Sequence, residues 1–338
     1  MIKEAIARLI EQKDLTADLM SKAQEEIMKG EALPSQIAAF LVALRFKGET
    51  IEEITAGAQI MRKYATKIKS ADKGLLDTCG TGGDESGTFN ISTLSALVAC
   101  GAGITVAKHG NKSVSSRCGS ADLLIELGVQ IDLTPAQIEE CMRQAGFGFL
   151  YAPLLHQAMK YAAPVRRELG IRTIFNILGP LTNPAGAACQ LLGVYDQRLT
   201  EVLARTLKNL GARHVLVVHG EDGLDEVTTT GYTQVAELKG GKVKVYKIYP
   251  ADFGIKKAGL NDLRGGDAKD NAKIAEQILK GAPGPQRDIV LLNAGCAIYA
   301  ADRAGSIKEG IEQARTSIDT QSALHKLELL REVSNKCR

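Results

Sequence analysis

The chain has 338 residues, of which 45% are apolar and 24% are charged, and its formal net charge is only +3. So balanced a charge excludes the broad basic field that general binding to nucleic acid or to an anionic membrane requires. No segment is long and apolar enough to span a bilayer. Charged residues interrupt the apolar N-terminus, so we expect a cytoplasmic protein without a signal peptide.

The first 70 residues predict helices only. Pro34 precedes a run of apolar residues with helical spacing, and Gly48 closes that run. Thr50 and Glu53 form a capping box for the next helix. The polar stretch 69–73 follows. We therefore predict a small α-helical domain over 1–71 and a larger domain over 72–338, as the chain length also favours.

From Gly74 onward, short apolar runs alternate with helical patterns, which predicts an α/β domain with a mostly parallel central sheet flanked by helices. One helix is expected over 90–101, and another begins at Thr134 and ends at Gly146. Residues 233–248 alternate around Gly240 and Gly241 and predict an antiparallel hairpin. The remaining strands are expected at 75–79, 104–107, 191–194, 215–218 and 289–292.

Three glycines lie close together between the first strand and its helix, at Gly80, Gly82 and Gly83. Without Cβ atoms the backbone folds tightly there and can direct its amides at an anion. The helix that follows adds free N–H groups and the positive end of its dipole. Ser92 and Thr93 in its first turn supply hydroxyls for a phosphate or a Mg²⁺ ion. The glycine spacing matches neither a Walker loop nor a Rossmann loop, and an ordinary strand-to-helix turn remains the alternative.

Two further groups of polar residues follow later strands. Lys108-His109-Gly110-Asn111 comes after the second strand of the sheet and suits a phosphate or pyrophosphate at the carboxyl edge, where ligands of such sheets bind. Asp225-Glu226 follows the strand 215–218 and offers the oxygen ligands that Mg²⁺ prefers. Taken alone, His109 could instead be a structural histidine, and Asp225-Glu226 could be a solvated acidic turn.

Taken together, these motifs resemble those of anthranilate phosphoribosyltransferases. The resemblance rests on the stretches 77–84, 108–111, 172–184 and 225–226, and it covers nearly the whole chain. It implies substrates bound in a cleft between the two domains, and a helical domain that also takes in a later segment at about 166–190. It also implies a homodimer joined through that helical domain.

The resemblance further implies transfer of the phosphoribosyl group of phosphoribosyl pyrophosphate to anthranilate in tryptophan biosynthesis, with two Mg²⁺ ions per subunit. Metal ligands would be Ser92, Asp225 and Glu226. Anthranilate would contact Gly80, Asn111 and Arg166. No general base is assigned, and His109 is the candidate. Phosphoribosyl pyrophosphate would be held by Gly80, Gly83, Asp84, Thr88, Asn90, Ile91, Ser92, Thr93, Lys108, His109, Gly110, Asn111, Lys112, Ser113, Val114, Ser115, Ser116 and Ser120.

Two other functions fit the same architecture. A pyrimidine nucleoside phosphorylase would use inorganic phosphate and a nucleoside, without the acidic pair for metal ions. A non-catalytic relative that binds nucleic acid would need a strongly basic surface. Asp225-Glu226 argues against the first alternative, and the net charge of +3 argues against the second.

Overall fold

The computed structural model describes residues 1–84, 86–113 and 117–336. Its N-terminal part is helical, with α1 (Ile2–Ile10), α2 (Ala17–Lys29), α3 (Pro34–Lys47) and α4 (Ile51–Tyr64). The predicted caps are confirmed: Gly48 ends α3, and the Thr50 hydroxyl accepts a hydrogen bond from the Glu53 N–H at 3.2 Å while the Glu53 carboxylate accepts one from the Thr50 N–H at 2.8 Å. These reciprocal bonds satisfy N–H groups that a helix start leaves unpaired.

The described residues after α4 form one seven-stranded sheet in the order β3-β2-β1-β4-β5-β6-β7. Strands β1 to β5 pair in parallel, whereas β6 and β7 form the antiparallel hairpin that the sequence predicts. The mostly parallel α/β architecture is thus confirmed. The strands are β1 (Leu76–Gly80), β2 (Val106–Gly110), β3 (Phe147–Tyr151), β4 (Cys189–Gly193), β5 (His214–Gly220), β6 (Thr233–Lys239) and β7 (Lys242–Ile248).

Helices flank this sheet and connect its strands. They are α5 (Ile91–Gly101), α6 (Ser120–Glu126), α7 (Pro135–Ala145), α8 (Ala152–Leu155), α9 (Ala163–Leu169), α10 (Ile174–Leu178), α11 (Leu199–Asn209), α12 (Ala268–Leu279), α13 (Pro285–Ala300), α14 (Ile307–Asp319) and α15 (Ser322–Lys336). Short 3₁₀ segments occupy Gln157–Tyr161, Gly179–Leu181, Pro250–Phe253 and Leu260–Leu263. None of the helices within the described ranges has the length and apolar character that crossing a lipid bilayer requires.

The structure differs from the sequence prediction of the sheet at three places. The strand predicted at 289–292 is wrong, because these residues lie inside α13, which is buried on nearly all sides and so lacks the polar face that marks a helix in sequence. Strand β3 directly follows Gly146 and was not predicted. Strand β2 begins at Val106 and continues to Gly110, so Lys108 and His109 lie in a strand and not in the predicted loop.

Each face of the sheet is covered by its own apolar cluster. Along β5, Leu216 and Val218 belong to one cluster, and Val215 and Val217 belong to the other, as alternation along a strand requires. The first cluster contains α5 and α13 to α15. The second joins α1 to α4 with α11 and with buried residues of the segment 162–181. The domain boundaries near residue 71 and over 166–190 stay predictions.

The strand order places a crevice at the carboxyl edge of β1 and β4. From β1 the chain adds β2 and β3 on one side, whereas β4 to β7 extend on the other side. The connections that leave these two neighbouring strands therefore diverge, and such a switch point is where open α/β sheets bind their ligands.

Candidate active site

The glycine loop, residues 80–84, leaves β1 at this crevice. Gly82 and Gly83 have φ angles of 66° and 78°, in the left-handed region that favours glycine. The Thr81 N–H donates to the Gly193 carbonyl at 3.0 Å, and the Gly82 N–H donates to the Asp225 carboxylate at 2.8 Å. The loop is thus hydrogen-bonded both to the end of β4 and to the connection that follows β5.

Asp225 fills the gap between the ends of β1 and β4. A Cβ atom at Gly80 would collide with the Asp225 carboxylate, and a Cβ atom at Gly193 would collide with the Asp225 backbone. Glycine is therefore required at both strand ends so that the acidic connection can approach the glycine loop.

Asp225 and Glu226 form no ion pair with another described side chain, although the buried Lys108 acts on both carboxylates electrostatically. Burial, followed by repulsion from Asp84, raises the pKa of Asp225 to about 7. Burial, followed by repulsion from Asp225, raises the pKa of Glu226 well above its usual range. Both side chains keep some accessible surface and so line the crevice. Adjacent carboxylates without a cationic partner suit a hard cation such as Mg²⁺.

Lys108 projects from β2 towards the same crevice and is only 1% exposed. Its ammonium group donates to the Thr78 carbonyl and, at 3.2 Å, to the Ser92 hydroxyl. Burial lowers the pKa of Lys108, and the negative charges of Asp77, Glu226 and Asp225 act in the opposite direction. The lysine thus joins β1, β2 and the first turn of α5.

The start of α5 presents Ser92 beside Lys108, and the Asn90 side chain caps the helix by accepting from the Thr93 N–H at 3.1 Å. The side chains of Ile91 and Thr93 are buried. These two side chains therefore pack into the core at the helix start, and their contact with the substrate stays a prediction. On the loop before the helix, the Ser86 hydroxyl donates to Asp84 at 2.6 Å and lies 3.3 Å from the Thr88 hydroxyl.

His109 is buried behind the crevice. Burial, followed by the neighbouring His156, lowers the pKa of His109 to about 3, and the two ring centroids are 5.0 Å apart. The Asp77 carboxylate accepts from the His109 backbone N–H at 3.1 Å and from the Asn183 side-chain amide at 2.8 Å. An imidazole with so low a pKa is neutral at neutral pH and is a weak general base.

Asp77 and Asn183 were given no role from the sequence, although they lie in the motifs 77–84 and 172–184. Burial raises the pKa of Asp77 to about 6, and Asn183 bridges its carboxylate to the Ala107 carbonyl. Their pairing joins β1, β2 and the segment before β4. Their positions within these two motifs were the only sequence signal for them. The hydrogen bond between them depends on the strand order, which the sequence does not show locally.

The connection after β2 carries the next predicted residues. Asn111 is exposed, and its side chain accepts from the Lys112 N–H at 2.8 Å. The Ser113 N–H donates to Asp122 at 2.9 Å, and Ser120 is the first residue of α6. A Cβ atom at Gly110 would press against the Phe149 ring. The predicted site residues Val114, Ser115 and Ser116 lie outside the described residues.

Arg166 lies on α9, in the segment between β3 and β4. Its guanidinium lies over the Phe175 ring, 5.3 Å from the centroid, and burial lowers its pKa. A guanidinium held over an aromatic ring keeps its donors free for a planar carboxylate. In the described part of the chain, no three His, Cys, Asp or Glu side chains form a group that could hold a metal ion.

Comparisons with known proteins agree over the whole chain. The family model described as "Glycosyl transferase family, helical bundle domain" matches residues 3–65, and "Glycosyl transferase family, a/b domain" matches residues 72–324. The anthranilate phosphoribosyltransferase of Alkaliphilus metalliredigens (strain QYMF) is 54% identical over 338 residues, covering 100% of both chains.

Two solved structures extend the comparison. The anthranilate phosphoribosyltransferase of Thermus thermophilus has a TM-score of 0.93 and 43% identity, covering 98% of this chain and 99% of its own. That of Saccharomyces cerevisiae, in complex with PRPP and Mg, has a TM-score of 0.90 and 28% identity, covering 99% of this chain and 98% of its own.

Proposed function

Because the chain belongs to the anthranilate phosphoribosyltransferase family, we propose that it transfers the phosphoribosyl group of phosphoribosyl pyrophosphate to anthranilate. The products are N-(5-phosphoribosyl)anthranilate and pyrophosphate, and the reaction belongs to tryptophan biosynthesis. The observation that carries the proposal is the unneutralised pair Asp225-Glu226 beside a left-handed glycine loop at the switch point of the sheet. These groups can bind a pyrophosphate together with its metal ion.

The residues of the crevice fit Mg²⁺. Asp225 and Glu226 offer carboxylate oxygens whose pKa values are raised by burial and by the repulsion of neighbouring carboxylates, and Ser92 adds a hydroxyl at the start of α5. We propose that these three residues hold Mg²⁺, with two ions bound per subunit. When bound, the metal neutralises charge on the pyrophosphate oxygens as a Lewis acid.

The glycine loop and Lys108 hold the substrate that supplies the phosphoribosyl group. The amides of Gly83 and Asp84 and the positive end of the α5 dipole face the pyrophosphate, and Lys108 adds a fixed positive charge within reach of Ser92. Negative charge builds up on the pyrophosphate as its bond to the ribose breaks. These preset donors therefore stabilise the transition state more than the ground state.

Anthranilate approaches the ribose from the face opposite the pyrophosphate. Its aromatic amine is a weak nucleophile, so bond breaking runs ahead of bond making and the protein acts mainly by positioning. Arg166 binds the anthranilate carboxylate, and Gly80 and Asn111 lie near the amine. His109 is too weak a base to take the amine proton, because its pKa is lowered to about 3. The proton leaves to water after the C–N bond has formed.

A product assay tests this function against the two alternatives. Purified protein with Mg²⁺, anthranilate and phosphoribosyl pyrophosphate should release pyrophosphate in proportion to the anthranilate consumed, and it should release no thymine from thymidine and inorganic phosphate. Thymine release without pyrophosphate release would assign a nucleoside phosphorylase. Salt-sensitive binding to single-stranded DNA with neither activity would assign a nucleic-acid binder.

We further propose a homodimer joined through the helical domain. The helical segment exposes a group of large apolar side chains, of which Phe46 is 82% exposed, and Val42 lies one turn before it on α3. The other large apolar side chains that this segment exposes are Met1, Ile10 and Leu33. Sedimentation equilibrium should show a dimer that Phe46→Ser converts to monomer, whereas Tyr249→Ser, at an exposed position after β7, should not. A wild-type monomer would contradict the proposal.

A further inference from the structure

Arg172 contacts the glycine loop at Gly83. It lies between α9 and α10, and its guanidinium group donates to the Gly83 carbonyl. The same group lies over the Tyr195 ring, 4.1 Å from the centroid. A Cβ atom at Gly83 would lie 3.1 Å from the guanidinium. Loop, guanidinium and ring therefore pack closely, and a planar guanidinium suits this stacked position better than an ammonium group.

Tyr195 is itself attached to the loop. Its backbone N–H donates to the Thr81 hydroxyl at 3.0 Å, and it follows the end of β4. Arg45 of α3 and Glu49 lie near enough to act electrostatically on the Tyr195 hydroxyl. The pair Arg172–Tyr195 therefore lies where the helical segment, the end of β4 and the glycine loop meet.

This contact fixes the orientation of a peptide group. In a trans peptide the C=O and the following N–H point in opposite directions. Holding the Gly83 carbonyl against Arg172 thus turns the Asp84 N–H to the other side of the loop. Gly82 and Gly83 lack Cβ atoms and would otherwise sample many conformations. A loop already held in one conformation loses less entropy when a ligand binds.

We propose that Arg172, stacked on Tyr195, is a positioning residue that presets the glycine loop through the Gly83 carbonyl and thereby sets the affinity for phosphoribosyl pyrophosphate. The proposal rests on the proposed function of the loop as the pyrophosphate site. The proposal gives different roles to two arginines of the same segment. Arg166 contacts anthranilate, whereas Arg172 acts on the other substrate without touching it.

Steady-state kinetics of matched variants test this role. Arg172→Gln should raise the KM for phosphoribosyl pyrophosphate about tenfold, as loss of a charge-assisted hydrogen bond predicts, and should leave the KM for anthranilate unchanged. Arg172→Lys should recover part of the loss, because an ammonium group can donate but cannot stack as well. Arg167→Gln, which removes an exposed charge from the same segment, should match the wild type.

Tyr195 provides a second, independent pair of variants. Tyr195→Phe keeps the ring under the guanidinium and should behave as the wild type, whereas Tyr195→Leu should resemble Arg172→Gln. An unchanged KM for phosphoribosyl pyrophosphate in Arg172→Gln and Tyr195→Leu would overturn the proposal. A parallel rise of both KM values together with a lower melting temperature would also overturn it, because that pattern indicates general damage to the fold.

Hydrogen exchange measured without substrates separates this proposal from the function on which it rests. The peptide covering residues 80–84 should exchange faster in Arg172→Gln than in the wild type, and Arg167→Gln should not change it. Equal exchange rates in all three proteins would refute the role of Arg172. Absence of turnover in the wild type would refute the proposed function instead, and faster exchange would then still support the contact that fixes the loop.

Discussion

The two ends of β5 each carry a cluster of charged groups, and the clusters differ in how their charges are matched. At the start of the strand, the His214 ring lies between Asp302 at 2.6 Å and Glu237 at 3.2 Å. Beyond the other end, Asp225 and Glu226 stand side by side without an ion-pair partner among the described residues. Carboxylates therefore lie next to a histidine at one end and next to each other at the other.

The pKa values express this difference. The hydrogen bond from His214, opposed by burial, lowers the pKa of Glu237 to about 2, whereas burial raises the pKa of Asp225 to about 7. A matched cluster stabilises the folded chain. An unmatched cluster costs stability until a ligand supplies the missing charge, as is typical of functional sites. Both clusters contain buried ionisable groups, so burial by itself does not distinguish them, whereas the direction of the pKa shifts does.

The largest effect is expected from Asp225→Asn. Turnover should fall about a hundredfold or more, as loss of a metal ligand or of a transition-state contact typically causes, and the remaining activity should require more Mg²⁺. The melting temperature should not fall, because the substitution removes an unmatched buried charge. Initial rates over a range of Mg²⁺ concentrations measure this, with Glu221→Gln as an exposed control on the same connection. An unchanged rate and Mg²⁺ requirement would remove Asp225 from the site.

An intermediate effect is expected from Arg166→Ala. The KM for anthranilate should rise about tenfold or more, since the lost contact is a charge-assisted one to a carboxylate, and the KM for phosphoribosyl pyrophosphate should change little. Initial rates with each substrate varied in turn measure this, with Arg167→Ala as the exposed control. Equal effects on both substrates would point to a misassigned contact or to damaged folding.

The smallest effect on catalysis, and a clear one on stability, is expected from Glu237→Gln. Because the pKa of Glu237 is lowered from its ordinary 4.5 to about 2 in the folded chain, its stabilisation is present above about 4.5 and is lost as the pH falls towards 2. The variant should lose about 2 kcal/mol of unfolding free energy at neutral pH, and the loss should shrink below pH 4.5.

Urea unfolding of Glu237→Gln and of the wild type at a series of pH values tests the predicted loss of stability. Kinetic assays at neutral pH test the predicted effect on catalysis. Unchanged kcat and KM values are expected. A loss of activity as large as that of Asp225→Asn would break the contrast between the two ends of β5, since it would place the matched cluster in the function.

The sequence predicted the elements whose signals are local. The capping box of Thr50 and Glu53, the hairpin over 233–248 and the helix that ends at Gly146 all depend on near neighbours in the chain, and all are confirmed. Residues 289–292 were misassigned because α13 is buried nearly all round. Its continuous apolar run therefore lacks the alternation of polar and apolar residues that identifies a helix. The order of the strands, which creates the crevice, has no local signal.

The same limit applies to the site. The glycine loop, Lys108 and Asp225-Glu226 could be proposed from the sequence because their residue types and positions after strands suggest anion and metal binding. Their binding roles stay predictions. The contact of Arg172 with Gly83 could not be predicted, because it joins positions far apart in the chain and depends on how the segment before α10 packs. Nor could the sequence show that the His109 ring is buried, and its lowered pKa follows from that burial.

The most direct test of the account is the decay of anthranilate fluorescence when wild-type protein is mixed with anthranilate and phosphoribosyl pyrophosphate, with and without Mg²⁺. The account predicts a decay that requires Mg²⁺ and stops when it is chelated. No decay with folded protein, or a decay of equal rate without Mg²⁺, would contradict the claim that the unmatched carboxylates beyond β5 form the reaction centre.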